Sequence, residues 1–146
     1  MDPKTHSATI WDQGDNKFSV TTMSTVGLTV PKILHKLEAT ANRTVYISSF
    51  ETSMNELLAA YKLGTGVSDW NLSHDSVEQC IKRSQEKFKT AETFMDRMRA
   101  VRPLGLLVGV KEGLGGDFVA EGLSDNELLE VPRSDVFETT TELLKA

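Results

Sequence analysis

The chain has 146 residues, with 16 Lys and Arg against 21 Asp and Glu, a formal net charge of -5 and one cysteine. That length suits one domain that buries roughly two-thirds of its unfolded surface. The basic residues are scattered rather than banked, which argues against a nucleic-acid partner, and the lone Cys80 excludes an intrachain disulfide or a multi-cysteine metal site. No apolar run approaches the ~20 residues of a membrane span. The N-terminus Met1–His6 lacks the basic-then-apolar order of a signal peptide, so the sequence reads as a soluble cytoplasmic protein with no membrane partner. Without such a signal, the glycosylation patterns at Asn42 and Asn71 read as chance.

Ala8–Trp11 and Lys17–Thr22 are short extended segments on either side of Asp12–Asn16, a cluster of turn formers, and together they predict a hairpin. The turn has Asp, Gly and Asn but not the ligand spacing or closing Glu of a calcium loop. Ser24 is a fair N-cap for a helix whose apolar positions Val26, Val30, Ile33, Leu34 and Leu37 should lie on a flat surface. Pro31 inside it predicts a kink or a later start.

Thr44–Glu51 holds the densest β-branched and aromatic run, free of Gly and Pro, and predicts the central strand. Ser53 and Glu56 form a capping-box pair that opens the next helix, with Leu57, Leu58 and Tyr61 on one side and Gly64 and Gly66 as stops. Strand-to-helix junctions at the carboxyl ends of strands are where ligands bind in open α/β sheets, which marks Phe50–Ser53 as the place to look for function.

A short strand at Asp69–Ser73 and a helix opened by Asp75 and Glu78 follow, with Val77, Ile81 and Phe88 on its apolar face and Cys80 beside it. Cys80 reads as a buried structural thiol, or as a reactive one tuned by Arg83. From Thr90 the pattern is helical through Phe94, Met95, Met98 and Val101, and at Pro103 it either ends or continues through Leu104, Leu107 and Val108. Gly113–Phe118 is glycine-rich but lacks the strand-before, helix-after context and the Lys-Ser/Thr pair of a phosphate loop. Asn126–Val131 predicts a helical turn or two, and Ser134 a cap for a last helix with Val136, Phe137, Leu143 and Leu144 on its apolar side. The expected fold class is α/β with an α+β character: a small sheet of about three to four strands packed with five to six helices.

Read together, the stretches ATIWDQGDNKFSVTTMSTVG, NRTVYISSFETSMNELLAA, GLGGDF and DNELLEVP resemble the C-terminal half of fungal NmrA-like, isoflavone-reductase-like proteins, atypical short-chain dehydrogenases. The resemblance runs from about Thr9 to Leu144 and implies a single domain over residues 1–146 that lacks the N-terminal dinucleotide-binding half. No glycine-rich turn follows a first strand, and no catalytic Lys can be placed, so the expectation is no cofactor and no autonomous NAD(P)-dependent reduction. The apolar faces and strand edges such a domain would leave open predict a homodimer.

Two chemistries remain open. In the first, Glu51 and His74 act as acid and base on a small apolar intermediate, with Trp11, Phe50 and Trp70 as walls and Arg102 as an anion contact. This reading makes the chain a cofactor-independent enzyme of fungal secondary metabolism, catalysing a cyclisation, isomerisation or dehydration. Each residue also has a plain reading: Glu51 as a helix-entry charge, His74 as a surface residue, the aromatics as core, Arg102 as a solvated face. Ser73-His74-Asp75 is not a triad, because consecutive side chains diverge. In the second, the chain is a non-catalytic NmrA-like binding or regulatory module. A closed pocket lined by the three aromatics favours the enzyme and an open apolar face favours the module.

Overall fold

Strand β1, Ser7–Trp11, alternates half-buried and buried residues, as a strand with one covered face must. The computed structural model describes residues 1–111 and 113–145, and these form a mixed α/β fold of four strands and six helices. Ala8 and Ile10 of β1 enter a core with Leu58 and Trp70. The strand pairs in parallel with β4, Asn71–Asp75, placing Ile10 opposite His74 and Trp11 opposite Asp75. The expected hairpin is therefore replaced. The turn at 12–16 forms, but it hooks over the start of helix α3, Met54–Thr65, and sends the two flanking strands to different partners. Asn55 donates to Gln13 O and Asp15 Oδ1, and Asn55 N to Gly14 O. Gly14 adopts φ +75 there, and a Cβ would stand 2.6 Å from Ile10 Cγ2, so the turn needs glycine for both reasons.

The second ladder is antiparallel, β2 Phe18–Val20 against β3 Phe50–Thr52. The predicted long strand over Thr44–Glu51 shrinks to its last residues, because the preceding stretch meets no strand; Tyr46 makes only an isolated bridge to Ser124. The four strands thus form two two-stranded ladders in place of a single small sheet.

Helix α1, Met23–His35, is capped by Thr22 and not Ser24, its hydroxyl accepting from Thr25 N. It starts early, and the helix runs through Pro31. Its buried residues are Thr25 and Thr29, whereas Val26, Val30 and Leu34 are exposed, which reverses the expected orientation of the helix. A four-residue helix α2, Leu37–Thr40, follows. The capping box of α3 is formed as the sequence predicts, and Gly66 closes the helix in the left-handed region.

Helix α4, Val77–Thr90, is capped by Ser76 and packs against α5, Phe94–Val110, burying Val77, Cys80 and Leu107. Cys80 is a buried free thiol. Helix α5 continues through Pro103, while Phe88, Phe94, Met95 and Met98 are exposed. The Val108 side chain lies outside the described residues. The glycine-rich stretch serves packing: a Cβ on Gly116 would meet Gly109 O at 2.3 Å, and Gly116 O accepts from Ser19 N at 2.7 Å. The stretch Asn126–Val131 is a hydrogen-bonded turn. Helix α6, Val136–Lys145, packs along α3, with Gly64 giving way to Leu144, and Asp135 in place of Ser134 accepts from its first free N–H groups. No described helix is long and apolar enough to cross a membrane.

Candidate functional site

Ser48 and Ser49 are fully buried at a position where a strand neighbour is missing, so their backbone groups must find other partners. Ser49 N donates to Val20 O, and Asn126 supplies the partners of Ser48. Ser48 N donates to Asn126 Oδ1 at 3.0 Å and Asn126 Nδ2 donates to Ser48 O at 2.7 Å, so one side-chain amide does the work of a ladder rung. Beside it, Asp125 N donates to Tyr46 O, Tyr46 N donates to Asp125 Oδ2, and Ser134 N donates to Ser49 O. Tyr46 also stacks edge-on with Phe118 at 5.2 Å between ring centroids. The segment from Ser124 to Ser134 therefore lies along 46–49 as an irregular neighbour.

Glu51 sits at this seam on β3. Its Oε1 accepts from Ser48 Oγ at 2.7 Å and its Oε2 pairs with Arg133. Arg133 is half exposed and lines an open groove of about 470 Å3 with Val119, Ser124, Asn126, Glu130 and Val131. Charge on the seam is reinforced at its far end. The Arg43 guanidinium, in a two-point pair with Asp125 at 3.1 and 2.8 Å, holds that carboxyl below the usual carboxylate range, helped by the Tyr46 N–H and opposed by burial. Chemically, the arrangement offers one guanidinium with donors left for an oxygen in the groove, and a carboxylate whose two oxygens are both engaged.

The other residues singled out in the sequence lie elsewhere. His74 is exposed on β4, in the other ladder from Glu51. On its two sides Ser73 Oγ shares a hydrogen bond with Thr9 Oγ1 at 2.9 Å and Asp75 pairs with Arg83, which lowers the Asp75 pKa; strand alternation turns His74 to the face opposite Ser73 and Asp75. Trp11 packs on the α4–α5 core, Trp70 in the α3 core with its indole N–H on Val67 O at 3.0 Å, and Phe50 is buried on β3. Arg102 is exposed on α5. Five open clefts of about 290 to 500 Å3 mark the surface, and none of these five is lined by Glu51, His74, Trp11, Phe50, Trp70 or Arg102.

Ser48, Asn126 and Arg133 escape sequence reasoning because their partners are 78 and 82 residues away and no local spacing rule marks them. The cleft beside the glycine-rich stretch holds Lys17 and Lys111 with Asp15, Asp117 and Glu121, and Lys17 is already paired with Glu56. That balance gives no anion cradle. No group of three or more His, Cys, Asp or Glu among the described residues is placed to hold a metal ion.

No family model and no solved structure matches the chain. Among curated proteins it is similar to Oxidoreductase aprR of Aspergillus flavus, 30% identical over 138 residues, which cover 94% of this chain and 44% of that protein. It is also similar to Oxidoreductase poxI of Penicillium oxalicum, 39% identical over 83 residues, covering 57% of this chain and 26% of that protein. Its homologues are thus fungal oxidoreductases at modest identity, and the chain spans less than half the length of either.

Proposed function

We propose that this chain works as a binding or regulatory module on an oxidoreductase-type, NmrA-like scaffold in fungal secondary metabolism, acting through contacts and not as an autonomous reductase. One observation carries the reading: Glu51 and His74 stand in different ladders, and the three aromatics fill cores instead of walling a pocket. Acid–base catalysis on one substrate needs its groups within hydrogen-bond reach of the same reacting atoms. The seam around Glu51 reads as structural, and a Gln at 51 keeps an oxygen for Ser48 Oγ or Arg133 to donate to.

The enzyme reading rests on a different observation, the proximity of Ser48, Glu51 and Arg133 beside a groove of about 470 Å3. In that reading Arg133 holds a carbonyl or carboxylate oxygen of an apolar intermediate while Glu51, freed from it, moves a proton in a cyclisation, isomerisation or dehydration. A gene-deletion strain complemented with the Glu51→Gln/His74→Ala double variant separates the two. The module reading expects the metabolite profile to be restored. A folded double variant, present at wild-type level, that fails to restore it overturns the module reading.

A further inference from the structure

An amphipathic helix normally turns its apolar stripe inward, because burying that surface is what stabilises it. Helix α1 does the reverse. Met23, Val26, Val30 and Leu34 recur at spacings of three, four and four residues, which places them within one stripe at 100° per residue. They are 84%, 39%, 51% and 62% exposed, and Leu37, the first residue of α2, is 55% exposed. The opposite side of the helix carries Thr25 and Thr29, buried against the Ser49 hydroxyl and the helix's own carbonyls. The helix is fixed in this orientation, since Lys32 donates to Glu130 O at 2.7 Å and Lys36 to Leu128 O at 2.6 Å and Glu130 Oε1 at 2.7 Å.

The surface of the whole chain points the same way. A folded monomer of 16.1 kDa exposes about 7,400 Å2 by the usual scaling, whereas this chain exposes 9573 Å2. The excess, roughly 2,200 Å2, is of the size that each partner of a large obligate dimer buries, on the order of 1,000–2,500 Å2. Scattered side chains do not account for a continuous stripe of this kind.

We propose that the α1 stripe is a two-fold self-association surface, packing against α1 of a second copy of this chain. The occupant follows from charge. Between Met23 and Leu37 the only Lys residues are Lys32 and Lys36, both engaged by their own chain on the other side, so two copies meet through uncharged surface with nothing to repel. On the rival patch, Phe94, Met95 and Met98 of the α4–α5 pair, Lys82, Arg83 and Arg99 are paired with Glu78, Asp75 and Asp96, but Lys87, Lys89, Arg97 and Arg102 stand against Glu86 and Glu92 alone, so identical copies facing each other there meet with like charge in excess. A closed two-fold contact requires a self-complementary patch, and of these two patches the α1 stripe fits.

The proposal deepens the reading of the chain as a contact-driven module, and its test does not touch Glu51 or His74. Sedimentation of the purified 146-residue chain at micromolar concentration is expected to give the mass of two chains, Leu34→Glu the mass of one, and Met98→Glu the mass of two. A one-chain mass for the unaltered protein overturns the proposal, since the stripe is then covered by something other than a copy. Cross-linking covers the case in which Leu34→Glu fails to fold. In a two-fold contact centred on the stripe, Val30 would be displaced along the helix axis from its counterpart by no more than about one turn, roughly 5 Å, in either relative helix direction. A short bismaleimide is therefore expected to join Val30→Cys into a covalent dimer and to leave Met98→Cys uncoupled, with Cys80 buried and left in place. A dimer in which Met98→Cys couples and Val30→Cys does not places the interface elsewhere and also overturns it.

Discussion

Asn126 shows how much one side chain carries when a backbone segment has no strand beside it. Its amide makes two hydrogen bonds to the fully buried Ser48 backbone, and both of those backbone groups lose their partner if it is truncated. Buried unsatisfied groups cost about 1–3 kcal/mol each, so Asn126→Ala is expected to lower unfolding stability by roughly 2–4 kcal/mol in urea titration. Asn126→Asp keeps the shape but sets an oxygen against Ser48 O, and it is expected to be at least as damaging. If the Asp variant is as stable as the wild type at neutral pH, the amide rung is not what holds the seam. None of this is legible from the sequence, where Asn126 simply opens a helical turn or two. Ser53 and Glu56, by contrast, announce their capping box because both partners lie within one helical turn.

At the scale of elements, the sequence indicated which stretches turn and which coil, but not always what they touch. Helices came through best: α3 has the predicted capping box, α4, α5 and α6 lie on the predicted helical stretches with Ser76 and Asp135 in place of Asp75 and Ser134 at the starts of α4 and α6, and even Pro31 and Pro103 are absorbed inside helices. Strands fared worse because pairing is non-local. β1 and β2 look like the arms of a hairpin, yet the turn between them is claimed by Asn55 and the arms go to β4 and β3. The apolar spacing of α1 predicts a stripe on something flat, yet that stripe faces outward, since periodicity fixes which residues share a face but not the direction it faces.

The seam between 43–46 and 124–126 gives an element-level prediction. Because Asp125 ionises below the ordinary Asp range in the folded protein, its contribution is fully present above the unfolded value of about 3.9 and fades as pH falls through the lower folded value. Asp125→Asn is expected to have a lower melting temperature than the wild type at pH 7, with the gap closing toward pH 2–3. A gap that stays constant across that range excludes the ion pair as its cause.

At the scale of the molecule, two short ladders, two apolar clusters and an outward-facing α1 describe a chain whose free surface is large for its mass. The candidate site follows the same pattern. Glu51 was legible as a residue at a strand-to-helix junction, whereas its role at the seam depends on Arg133, Ser48 and Asn126, which only the folded chain brings together. Similarity to fungal oxidoreductases over less than half their length places the chain near redox enzymes, while the proposed role needs no redox step of its own.

That proposal is tested most directly by the melting temperature of the purified chain with and without sub-millimolar NADPH. A ligand that binds only the folded state must raise its stability. A module that works through contacts is expected to show the same melting temperature in both samples, and a rise of several degrees with NADPH would contradict it.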